Sequence, residues 1–109
     1  MTSLGQRHCT AATTLLDTEQ VQDYLSQLQD WQIVNDGKSI QCRYKFKNYE
    51  QTLAFVNGVA EIAGSEDHHP DIGFGYNYCQ VHYSTHSVGG LSENDFICAA
   101  RIDTLLSNV

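Results

Sequence analysis

From Ile40 to Phe46 apolar and polar residues alternate without a break: Ile40, Cys42, Tyr44 and Phe46 share one side, and Gln41, Arg43, Lys45 and Lys47 share the other. Successive side chains of a strand point to opposite faces, so this pattern predicts a half-buried antiparallel strand. Its partner is Trp31-Gln32-Ile33-Val34, joined through Asn35-Asp36-Gly37-Lys38, where Asn, Asp and Gly tolerate the positive φ of a tight reversal. The hairpin has one apolar face, and the rest of the chain has to cover it.

The flanking segments supply that cover. Thr18 reads as the cap of a first helix over Glu19–Gln29, with Val21, Leu25 and Leu28 at helical spacing. Asn48 reads as the cap of a second helix from Tyr49 to Ala63. Leu53, Val56, Val59, Ala60 and Ala63 make its apolar stripe, Phe55 and Ile62 lie beside it, and Gly64 is its expected stop. Ile72–Tyr76 and Cys79–Thr85 read as a third and a fourth strand. In the fourth, Cys79, Val81 and Tyr83 take the core side, and His82 falls on the polar side as a solvent-facing histidine. Ser92 opens a last helix, and Asp95 stands where a capping box usually has Glu or Gln. That helix is apolar over more than one face from Phe96 to Leu106, which predicts an oligomer contact. The fold class that follows is α+β: a four-stranded, mainly antiparallel sheet with three helices packed on one face. Residues 1–14 are expected to be a mobile N-terminal tail, and residues 15–109 a single domain.

Composition limits the partners. A net charge of −7 argues against direct contact with nucleic acid or an anionic membrane, since both need a basic surface. Cys9, Cys42, Cys79 and Cys98 are widely spaced and form no Cys-x-x-Cys pair, so they read as buried thiols of a reducing, cytoplasmic protein. No apolar run is long enough to span a bilayer, and no basic-then-apolar leader is expected at the start.

The chemistry gathers between Glu66 and Asp95. Four of the five histidines lie in this stretch, and three of them, His68, His69 and His86, stand apart from the polar strand face that carries His82; Pro70, the chain's only proline, lies with them. Imidazole titrates near neutrality, so the trio is a candidate for metal-free acid–base catalysis. Two alternatives draw on neighbouring residues. One is a zinc site built from the three histidines with Asp71 or Asp95, although adjacent histidines diverge in an extended segment. The other is a cysteine nucleophile at Cys79, which sits on a core face with no cation predicted beside it. Asp95 has a sufficient structural role as a cap. Gly89-Gly90 lacks the context of a phosphate loop and reads as a flexible helix entry.

The sequence His68-His69-Pro70-Asp71, followed by Tyr76-Asn77, Thr85-His86, Gly89-Gly90-Leu91 and Asp95, closely resembles the pterin-4a-carbinolamine dehydratases. The resemblance extends over most of the chain. It implies dehydration of a 4a-hydroxytetrahydropterin, such as 4a-hydroxytetrahydrobiopterin, to the quinonoid dihydropterin, without metal or organic cofactor and in support of pterin recycling. By resemblance His68, His69 and His86 are the catalytic histidines, with His69 and His86 nearest the proton transfers and His68 positioning the pterin. Asp67, Pro70, Asp71, Thr85 and Asp95 are the substrate-binding set. A homodimer or homotetramer is implied. So is the possibility, known for some members, of a transcription-factor partner bound through helical surfaces, here the last helix. The family commonly carries a Glu where this chain has Gly64, and Glu66 is then the nearest carboxylate available to orient an imidazole.

Overall fold

The computed structural model describes residues 4–107. In chain order it contains α1 (Thr18–Leu25), β1 (Gln32–Val34), β2 (Ser39–Lys45), α2 (Tyr49–Glu66), β3 (Asp71–Phe74), β4 (Tyr78–Tyr83) and α3 (Glu93–Ser107), with short 3₁₀ turns at Leu4–Gln6 and His86–Val88. The four strands lie in the order β1-β2-β4-β3, and every neighbouring pair is antiparallel. The fold class is the α+β arrangement expected.

The alternation in β2 sets the core. Ile40 pairs with Tyr83, Cys42 with Val81 and Tyr44 with Cys79, and all six are buried. Gln41 opposite His82 and Arg43 opposite Gln80 form the outer face. α2 lies on β3 and β4, and α3 packs on α2, with the Tyr44 ring 4.6 Å from that of Phe55. Gly58 lets the Leu105 side chain of α3 lie close against α2, since a Cβ there would meet its tip at 2.9 Å. Asp103 of α3 ties the layers together: its Oδ1 accepts from Trp31 Nε1 at 3.0 Å and from the Tyr44 hydroxyl at 2.9 Å.

Several element boundaries differ from expectation for identifiable reasons. The α1 cap is Asp17 rather than Thr18. Its carboxylate accepts the Gln20 N–H at 2.8 Å, and the Gln20 side chain accepts the Asp17 N–H at 3.0 Å. A cap at Thr18 would have put Val21 at the return position, where no side-chain bond can form. α1 also ends at Leu25, where the following residues tighten through Gln27 N–H to Tyr24 O and Leu28 N–H to Leu25 O. α2 runs past Gly64 to Glu66 and stops at Asp67, which takes the left-handed conformation at φ 51° and donates to Ala63 O. A helical glycine costs only ~1 kcal/mol, too little to end a helix whose next turn is held by other contacts. The buried stripe of α2 is Thr52, Phe55, Val59, Ala63 and Glu66, while Ala60 is exposed.

The largest difference concerns the start of the chain. A mobile tail is expected over residues 1–14; residues 1–3 lie outside the described residues, and residues 4–10 lie along α3. Leu4 is buried there, and Arg101 donates to Arg7 O. The apolar breadth of α3 has an explanation within the chain: Phe96, Ile97, Cys98, Ala99 and Ile102 are all buried. They are covered by α1, α2 and the N-terminal segment, so the breadth of this helix does not require an oligomer contact. No helix among the described residues is long and apolar enough to cross a membrane.

Candidate active site

The end of α2, the end of β4 and the start of α3 converge on His68. After the left-handed turn at Asp67, the His68 ring lies against the Tyr83 ring with centroids 5.2 Å apart and planes 18° apart. The Tyr83 hydroxyl donates to His68 O at 3.1 Å, so one buried tyrosine fixes both the ring and the backbone of this residue. His68 Nε2 meets Asp95 Oδ1 at 2.6 Å.

Asp95 is fully buried, in the first turn of α3. A bare carboxylate there would be costly, so its lone pairs need donors. Oδ2 accepts the Thr85 hydroxyl at 2.8 Å and the Ser92 N–H at 2.9 Å. Because the single Thr85 hydroxyl proton is directed to Asp95, the 2.7 Å contact between Thr85 Oγ1 and Ser92 Oγ has Ser92 as its donor. Thr85 is itself held by its antiparallel bridge to Gly90, which closes the His86–Gly89 turn with Gly89 at φ 74°. Asp95 therefore serves in two ways, closing back on the N–H of Ser92, the residue before the helix, and holding an imidazole. Burial pushes the His68 pKa down, but the hydrogen bond and charge of Asp95 outweigh it and hold the imidazole above its ordinary value.

His68, Asp67, Thr85 and Ser87 line a cavity of about 640 Å³, and Cys9 and Thr10 of the N-terminal segment line it too. That lies within the ~300–1,000 Å³ common for small-molecule sites. His86 borders a neighbouring recess of about 350 Å³, and Thr85 borders both. His69 is exposed and lines neither space. Asp71 stands apart from the cavity: it is exposed at the start of β3, and its carboxylate is 3.9 Å from His82 Nδ1 on the outer sheet face. Pro70 is half-buried and also lines neither space. The structure thus brings together His68, Asp67, Thr85 and Asp95. Of the three histidines, His68 lines the cavity, His86 the neighbouring recess and His69 neither, and among the described residues no group of three or more His, Cys, Asp or Glu side chains could hold a metal ion. Burial pushes the Cys79 thiol up to about 11, which keeps it protonated at neutral pH.

Glu66 does not orient a site imidazole, as its position near His68 had suggested. Its Oε1 accepts the Cys9 N–H at 2.7 Å and its Oε2 lies 3.0 Å from His8 Nδ1. Three contributors to the site were not singled out from sequence: Tyr83, Ser92 and the Cys9–Thr10 segment. Tyr83 was read only as core. The only sequence signal for Ser92 was its place before Asp95.

The family model described as pterin 4 alpha carbinolamine dehydratase matches residues 14–105. The chain belongs to this family. A relative from Nitrosospira multiformis named for the same dehydratase is 57% identical over 89% of this chain and 84% of its own. One from Legionella pneumophila (strain Corby), named likewise, is 48% identical over 97% of this chain and 98% of its own. A crystal structure from Brucella melitensis, described as a transcriptional coactivator/pterin dehydratase, superposes with a TM-score of 0.79 at 30% identity, covering 83% of this chain and 96% of the other. A pterin dehydratase-like protein described as a RuBisCO assembly factor in the alpha-carboxysome superposes at 0.62 with 28% identity, covering 71% and 89%. The pterin dehydratase motif meets the cavity wall at His68 and Thr85, with Asp95 buried behind them, whereas His69 and Asp71 are exposed and do not line the cavity.

Proposed function

We propose that this chain dehydrates a 4a-hydroxytetrahydropterin to the quinonoid dihydropterin and water, by histidine acid–base catalysis. The observation that carries this reading is the His68–Asp95 pair, 2.6 Å long and bordering a cavity of small-molecule size. The reaction moves two protons. The C4a–O bond breaks as an acid protonates the departing hydroxyl, N5 loses its proton to a base, and the N5 lone pair closes the C4a=N5 bond. Acid and base then exchange their protons with solvent, so no net charge is left on the protein.

His68 suits the acid. The Asp95 hydrogen bond and charge favour its protonated form over the pull of burial, and its place beside the cavity gives the proton a short path to a bound hydroxyl. This reverses the division of labour expected from sequence, in which His68 only positioned the pterin. His86, exposed on the recess that shares Thr85 with the cavity, is assigned as the base at N5, with His69, next to His68 in the chain, as the second candidate. Asp67 and Thr85 border the cavity and are assigned to substrate contact. Recycling of a tetrahydropterin cofactor in a cytoplasmic setting is the role this activity would serve.

The test is the dehydration rate of freshly generated 4a-hydroxytetrahydropterin by the wild type, by His68→Ala, His69→Ala and His86→Ala, and by the wild type with a chelator. Loss of the acid is expected to cost about 10²-fold or more. Wild-type turnover no faster than the spontaneous reaction would remove the proposal. Full activity in His68→Ala would remove the acid assignment, and loss of activity to the chelator would replace the metal-free mechanism. The coactivator alternative comes from the family resemblance and agrees with the description of the Brucella melitensis structure; Phe96, Ile97, Cys98, Ala99 and Ile102 of α3, read with it, are buried within the chain and supply no separate support.

A further inference from the structure

The family match begins at residue 14, yet part of the cavity wall comes from before it: Cys9, Thr10, Ala11 and Thr13. This segment is fastened by side chains from α3, which carries Asp95, and from the end of α2, which leads into His68. Asn94, buried next to Asp95, accepts the Thr10 N–H on Oδ1 at 3.1 Å and donates from Nδ2 to Thr10 O at 2.8 Å, gripping one residue's backbone from both sides. Glu66, buried at the end of α2, accepts the Cys9 N–H. Arg101 holds Arg7 O, and Leu4 is buried beyond it. Without the segment, Asn94 and Glu66 would lose these partners, and buried polar groups in a folded protein are rarely left without one. The segment is thus a built part of the pocket.

We infer that residues 9–13 are the specificity-determining wall of the pterin site, selecting the ring substituent carried by the substrate. The inference rests on the activity proposed above. Thr10, Ala11 and Thr13 are small, and two of them bear hydroxyls. Such a wall leaves room for a branched, hydroxyl-bearing side chain on the pterin and offers it hydrogen bonds. The anchors bind the backbone of the segment, so the side chains that face the pocket can set selectivity without altering how the wall is held.

The experiment compares kcat/KM for two carbinolamines, one with a dihydroxypropyl group at C6 and one with a methyl group there. The proteins are the wild type, Ala11→Trp and Asn94→Ala. Ala11 is exposed, so the tryptophan occupies pocket space without entering the core, and an unchanged unfolding temperature verifies this. Ala11→Trp is expected to lower the preference for the dihydroxypropyl substrate by about tenfold, the scale of a steric misfit in a shaped pocket, with the change in KM. Asn94→Ala is expected to lower the same preference and to speed amide exchange at Thr10. Wild-type turnover with an unchanged preference in Ala11→Trp would overturn the inference and leave the dehydratase reading standing. A KM raised equally for both substrates would also overturn it, since the wall would then hold the ring and not its substituent. Absence of wild-type turnover would remove both.

Discussion

His68 is held between opposing influences, and that balance makes it testable. Burial favours the neutral imidazole, and Asp95 at 2.6 Å favours the cation and prevails. Asp95→Asn keeps an oxygen for the Ser92 N–H and the Thr85 hydroxyl but removes the charge, so burial would then dominate and the His68 pKa would fall. If His68 is the acid, the alkaline limb of the kcat profile moves to lower pH in Asp95→Asn, and the rate near neutrality falls by roughly 10²-fold. An unmoved limb would assign that titration to another group. Tyr83→Phe separates position from protonation. It keeps the ring stack and removes the hydroxyl that donates to His68 O, so urea denaturation should show a loss of about 1 kcal/mol with the limb in place.

At the scale of elements, the α1 cap gives a clean contrast. Asp17→Ala removes the acceptor for the Gln20 N–H and should cost about 1 kcal/mol by chemical denaturation. Thr18→Ala at the first helical position should cost much less, and the reverse ranking would restore Thr18 as the cap. The contrast also marks how far local sequence reaches. The β2 alternation, the hairpin turn and the Asn48 cap of α2 are short-range features, in which period or turn chemistry admits few solutions, and each lies where its residues indicate. The end of α2 was not legible, because what carries the helix past Gly64 is a set of partners far away in sequence, Cys9 and His8 on Glu66. The path of the N-terminal segment was hidden for the same reason: Asn94 and Arg101 bind backbone groups, which every residue has. At the site, the residue types of His68, Thr85 and Asp95 pointed to proton transfer. Their convergence depended on the β4 register and the Thr85–Gly90 bridge, and neither has a sequence signature.

At the scale of the molecule, two buried titratable groups on the elements around the cavity give stability opposite slopes with pH. Burial pushes the Glu66 pKa up, but the Cys9 N–H, His8 and Arg101 outweigh it and hold it below the ordinary carboxylate value. A depressed carboxylate binds fewer protons folded than unfolded. Its stabilisation is therefore present above the unfolded carboxylate pKa of ~4.3 and is lost as pH falls through the lower folded value. His68 has the opposite sign. Its folded pKa is raised, so its stabilisation is fully present below the unfolded imidazole pKa of ~6.5 and is lost as pH rises through the higher folded value. Together these slopes place a stability maximum between the two windows, measurable as the urea midpoint from acid to mildly alkaline pH. Glu66→Gln should flatten the acid side only, because it removes the charge that His8 and Arg101 stabilise and leaves an oxygen for the Cys9 N–H. Asp95→Asn, by letting the His68 pKa fall, should abolish the loss on the neutral-to-alkaline side. The two sides should also differ structurally: loss on the acid side begins with release of the N-terminal segment, seen as faster amide exchange at Cys9 relative to its unstructured rate, before the sheet core opens. An acid slope that persists in Glu66→Gln would assign it to the chain's other carboxylates, and Glu66 would then be an anchor of the pocket wall without being its pH sensor.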